Sequence, residues 1–158
     1  RTPITERQWA MQNYLPQRVD FGKCYADVPY DQEMLATKSQ VCKLDGKEYT
    51  LENLKSFGGV CAQQADFAAR VGKSLGVPAV YVSGDSNSGG LHAWVMWIEV
   101  KRLTDKSIDF QLLSYGRYRN DEYYVGKLYD PQSGQQITDR ALEVKMHTIG
   151  NDPIAYRH

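Results

Sequence analysis

The run from Cys61 to Pro78 restricts the fold of this chain more than any other segment. Ala65, Ala68, Gly72 and Leu75 recur at three- and four-residue spacing, which gives a helix one narrow face able to lie close against a sheet. Gly76 suits the position just past a helix, and Pro78 prevents continuation. Ala79 to Val82 then reads as a short buried strand and Ser83 to Gly90 as a Gly/Ser/Asn loop. The segment Leu91 to Val100 alternates, with His92, Trp94, Met96 and Ile98 on one face and Ala93, Val95 and Trp97 on the other. Asp105-Lys106 suits a turn, Ile108 to Tyr115 a returning strand, and Tyr123 to Tyr129 a further strand before Pro131. A helix followed by an antiparallel sheet predicts an α+β domain.

Upstream of that run the pattern is weaker. Thr5 to Leu15 reads as a helix stopped by Pro16, Asp20 to Ser39 as a polar stretch with a short helix at Asp31 to Ala36, and Asp45-Gly46 as a turn before a helical turn at Thr50 to Leu54. Residues 1–53 are expected to wrap a core formed by 54–145, within a single domain of 158 residues. The start at Arg1, with no signal-peptide pattern, reads as a mature or excised piece of a longer precursor, so other domains of that chain are expected partners.

Charge narrows the partners. Lys+Arg and Asp+Glu both number 19 and no block of like charge stands out, which argues against a nucleic-acid backbone as ligand. No apolar stretch approaches the roughly 18 residues that span a membrane. Neither C-x-x-C nor H-E-x-x-H occurs and no second histidine lies near His92, so no metal or other cofactor is expected. Of the three cysteines, pairing of Cys24 with Cys42 would leave Cys61 as the odd reactive thiol, a pattern suited to an exported protein, periplasmic or extracellular.

Cys61 follows Gly58-Gly59-Val60 and opens the helix. There the unpaired backbone N–H groups and the positive end of the helix favour a thiolate. Thirty-one residues later, His92 follows Gly89-Gly90-Leu91 at the head of its strand. A nucleophilic sulfur and a nearby imidazole are what thiol acyl transfer requires. Singly, each residue type is more often structural; the glycines leading into both favour a site.

Gly58-Gly59-Val60-Cys61, the alanine-rich helix, Leu75-Gly76-Val77-Pro78-Ala79 and His92-Ala93-Trp94-Val95 together resemble the core of the transglutaminase-like superfamily of papain-type thiol enzymes. The match covers Leu54 to Val100 and extends to Asp130-Pro131, which is similar to the family's Asp-Pro element. The resemblance implies a papain-like α+β fold, with Cys61 as nucleophile, His92 as base and Asp130 as orienting acid. It also implies a peptide or carboxamide substrate, with water or an amine as the acceptor. The hairpin count competes at the third position, since a turn near Asp105 puts residues 118–120 opposite His92; Asn120 and Asp121 are therefore the alternatives to Asp130. In this scheme the Cys61 N–H and one further donor hold the oxyanion; Gln64, one turn inside the helix, either reaches the mouth of the site or lies on a solvated face. A non-catalytic binding or scaffolding module on the same fold is the competing reading. The abundant tyrosines, among them Tyr115, Tyr118, Tyr123, Tyr124 and Tyr129, read as strand packing more than as a ligand wall. His147 and His158 read as parts of a polar tail.

Overall fold

The computed structural model describes residues 2–17, 21–37, 39, 41–85, 89–117, 125–130 and 133–150. The helices are α1 (Ile4–Tyr14), α2 (Gln32–Thr37), α3 (Leu51–Phe57), α4 (Cys61–Ser74) and α5 (Asp139–Gly150), with a 3-10 segment at Phe21–Asp27. The strands are β1 (Ala79–Asp85), β2 (Leu91–Leu103), β3 (Ile108–Tyr115), β4 (Val125–Tyr129) and β5 (Gln136–Thr138). They form one antiparallel sheet in the order β3-β2-β1-β4-β5. The architecture is α+β, with helices on both faces of the sheet.

The alternation in β2 sorts the core into two layers. Ala93, Val95 and Trp97 join Ala65, Phe67, Ala68 and Val71 of α4 in the larger apolar cluster. Trp94 and Met96 point the other way and pack with Val82 and Leu128, against which Leu142 of α5 is partly buried. The small residues of α4 let its axis approach the sheet, and Gly72 is close enough that a Cβ there would stand 2.8 Å from that of Ala79.

Several expected boundaries move. Ser83 to Asp85, read as loop, belong to β1, where they pair with Leu91, His92 and Ala93. The strand before Pro131 is described from Val125; Tyr123, Tyr124 and Pro131 itself lie outside the described residues. His147 is not in a polar tail but on α5, its ring 5.6 Å from that of Phe110; His158 lies outside the described residues. Residues before Leu54 do more than wrap. Tyr14, Phe21, Cys24, Tyr25 and Val28 are part of the main cluster, and Phe21 meets Trp97 edge-on at 4.8 Å.

Cys24 and Cys42 are not joined by a disulfide. Cys24 is buried in the main cluster, whereas the Cys42 thiol donates to Asp45 Oδ1 at 3.1 Å. The pairing that suggested an oxidising compartment is therefore not made. No helix among the described residues is long and apolar enough to cross a membrane.

Candidate functional site

Cys61 is the first residue of α4. The turn into it is sewn to an upstream segment: Gly59 N–H donates to Pro29 O and Asp31 N–H to Gly59 O, each at 2.9 Å, while Tyr30 and Gly59 form a parallel bridge. Gly58 adopts φ 87°, and a Cβ there would collide with the Pro29 carbonyl, so this close approach requires glycine. Gln63 Oε1 accepts the Val60 N–H at 3.0 Å. By position, the N–H groups of Cys61 and Ala62 have no intrahelical acceptor, and both residues line a cleft of about 680 Å³.

The cleft opens on the α4 side of the sheet. Its walls include Tyr81, Ser83 and Asp85 of β1, Leu91 and Ala93 of β2, and Lys127 of β4. Tyr30, Met34 and Ser39 close it from the upstream segment, which the sequence assigned no part in the chemistry. Lys127 Nζ lies 2.8 Å from Asp85 Oδ2. Burial, then the charges of Cys61 and Asp66, hold the Tyr81 hydroxyl above its ordinary range, which leaves it a neutral donor in the cleft. Asp31 is buried behind this wall. The Met34 N–H at 3.1 Å, then the Lys43 N–H at 3.3 Å and the Lys43 ammonium, keep its carboxyl below the ordinary value against the opposing effect of burial.

His92 also lines the cleft, but its ring lies on the sheet face away from α4. It stacks on Trp94 at 6.1 Å and 29°, as the i, i+2 relation in a strand requires. Nε2 is 2.6 Å from Gly116 O. A carbonyl only accepts, so Nε2 carries the proton, and in the neutral ring Nδ1 holds the lone pair. Among the described residues no hydrogen bond joins the Cys61 thiol to His92.

Asp130 is not brought to His92. The pairs Gly84↔His92 and Gly84↔Gly126 put Gly126 level with the histidine two strands away, and Asp130 lies four residues farther along, roughly 13 Å at strand rise. Its carboxylate accepts Ser133 N–H at 3.3 Å and meets Lys145 Nζ at 3.1 Å. Asn120 and Asp121 lie outside the described residues. Asp109 pairs with Arg102 at 2.8 Å, at the far end of the β2–β3 hairpin. Gln64 is neither solvated nor in the mouth of the cleft: it is buried, with Nε2 donating to Val28 O at 2.9 Å. Gly116 O is the contact that sequence reasoning missed. Its only signal was a glycine directly after a strand.

Among the described residues no group of three or more His, Cys, Asp or Glu side chains is arranged to hold a metal ion. Compared with protein-family models, with curated proteins and with solved structures, the chain matches none of them.

Proposed function

We propose that the chain is a thiol acyl-transfer enzyme of the transglutaminase-like, papain-type kind, acting on a peptide or carboxamide carbonyl held in the Cys61 cleft. The observation that carries this reading is that a cysteine at the first turn of a 14-residue helix and a histidine at a strand head border one cleft. Cys61 is the nucleophile. His92 is the base, acting through Nδ1, because Nε2–H is given to Gly116 O. The sulfur adds to the carbonyl carbon while the thiol proton passes to the imidazole, and the Cys61 and Ala62 N–H groups receive the oxyanion. Collapse expels the amine, which takes the proton, and leaves a thioester. Water then releases an acid, or a second amine forms a new amide. Tyr30, Met34, Tyr81 and Leu91 present an apolar wall to the substrate, which fits a protein or peptide more than a small polar amide.

The second reading, a binding module in which Cys61 only packs, is favoured by the direction of the His92 ring, stacked on Trp94 on the face opposite α4. The two separate by alkylation at mildly acidic pH. Hydrogen bonding to Asp45, then burial, push the Cys42 thiol up, and Cys24 is buried, so labelling reports Cys61. Fast single-site labelling that falls at least about tenfold in His92→Ala supports the enzyme, given the 10²- to 10⁴-fold worth of a positioned base. Slow labelling indifferent to His92 supports the module.

A further inference from the structure

We infer that Tyr25 is a positioning residue for His92: its ring and hydroxyl hold the Gly116 carbonyl against the imidazole and thereby fix which ring nitrogen carries the proton. Tyr25 belongs to the 3-10 segment and is 6% exposed. Its hydroxyl donates to Ala93 O at 2.9 Å, on the residue that follows His92. The ring occupies the space that a side chain at position 116 would need: a Cβ on Gly116 would stand 2.5 Å from Tyr25 Cζ and 2.6 Å from Cε2. Gly116 has φ 86°, a conformation that side chains disfavour. Tyr25 also meets the ring of Tyr115 at 5.9 Å.

These contacts lie past the last described β2–β3 pair, on the edge of β2 opposite the one that β1 holds at His92 and Ala93. The described β2–β3 pairing ends at Val95↔Tyr115. Past that pair Tyr25 touches both strands, by a hydrogen bond at Ala93 and by ring packing at Gly116. The Gly116 carbonyl is thus set on His92 Nε2 at 2.6 Å, and an acceptor in that place selects the Nε2–H tautomer. That Nδ1 serves as a base toward Cys61 rests on the thiol-enzyme reading; the tautomer itself does not.

Histidine-labelled protein in long-range ¹H–¹⁵N spectra at about pH 8, where the unperturbed imidazole is neutral, tests this directly, with the His92 signals assigned by their loss in His92→Gln. The parent protein is expected to show the Nε2–H pattern. Tyr25→Leu is expected to move the tautomer ratio toward Nδ1–H by about fivefold, the ratio set by one ordinary hydrogen bond, and Tyr25→Phe, which keeps the ring, by less. Should Tyr25→Leu not fold, Gly116→Ala carries the same expectation, because its methyl strikes the Tyr25 ring. An Nδ1–H pattern in the parent, or an unchanged ratio in the folded variant, overturns the inference. Cys61 labelling on the same samples keeps the two ideas apart. An Nε2–H pattern that responds to Tyr25 beside an inert Cys61 sinks the enzyme and leaves the positioning role standing; a fast Cys61 with an unresponsive tautomer does the reverse.

Discussion

The two faces of the sheet are built to different standards. On the α4 face, small residues on the helix meet Ala93, Val95 and Trp97, and residues from α1 to Val28 close the periphery. On the other face Trp94, Met96, Val82 and Leu128 are well buried, yet α5 covers them mainly through Leu142 and leaves Val144 and Ile149 exposed at 65% and 50%. The cleft and Cys61 belong to the first face. The His92 ring belongs to the second. A reading that unites them needs chemistry to cross the end of the sheet, so tests that treat the faces separately are the informative ones.

The largest effect is expected at the thiol. Cys61→Ala should abolish turnover, a loss on the order of 10⁶-fold in enzymes where the nucleophile is removed, while the thermal midpoint stays close to that of the parent because only a sulfur is lost at a partly exposed site. Retained turnover on a substrate that the parent processes would show that the first face carries no nucleophile at Cys61.

Next comes a matched pair on stability. Phe67 is fully buried on the α4 side and meets Trp9 and Tyr14 edge-on at 6.3 and 6.0 Å. Phe67→Ala should cost about 3–5 kcal/mol in denaturant unfolding. Leu142→Ala removes the main α5 anchor, but a half-buried side chain leaves less cavity, and about 1–2 kcal/mol is expected. Equal losses would mean that α5 is as much a part of the core as α4.

That contrast also governs what the sequence revealed. The α4 face was legible because two periodicities agree there: small residues at helical spacing from Ala65 to Leu75, and strict alternation in β2. The ends of β3 were read correctly for the same reason, since its apolar residues lie between turn signals. The helix α5 was missed, although Leu142, Met146 and Ile149 keep helical spacing, because Glu143, Lys145 and His147 between them resemble a solvated tail. Cys61 and His92 were found by their leading glycines. The Gly116 carbonyl beside His92 was not found, because a main-chain carbonyl can come from any residue and has no side-chain signature. Asp31 was missed too: read as the start of a short helix in a polar stretch, it is the buried fastener behind Tyr30 and Met34.

Asp31 offers a test by pH. Its carboxyl is held below the ordinary value, chiefly by the Met34 N–H. A depressed folded value means that the ionised form stabilises the fold in full above the unfolded value of about 3.9, and that this stability is lost as pH falls through the lower folded value. Asp31→Asn should therefore melt below the parent at pH 6, with the gap closing as both are taken below about pH 4. A gap that persists or widens in acid would mean that the side chain acts by packing alone.

The smallest effect is expected at Asp130, which the resemblance drawn from the sequence made the orienting acid. β4 runs parallel to β2 across β1, so each residue past Gly126 moves away from the level of His92 at the same rate as β2 itself, and Asp130 ends level with Met96. Hydrogen bonds need heavy atoms within about 3 Å, and a separation of roughly 13 Å along the strand cannot be closed by one aspartate side chain. The residue instead holds the β4–β5 turn, chiefly through its main chain: Asp130 N–H donates to Gln135 O and the main-chain Asp130 O accepts from the Gly134 N–H, at 2.9 and 2.8 Å. Asp130→Asn keeps an Oδ1 to accept the Ser133 N–H and weakens the pair with Lys145, whose side chain is 57% exposed; screened pairs of this kind contribute less than about 1 kcal/mol. Turnover should stay within about twofold of the parent, whereas an orienting triad aspartate would lose about 10⁴-fold. A loss of that size here would mean that the sheet register does not hold in the working protein, and that His92 and Asp130 share one site after all.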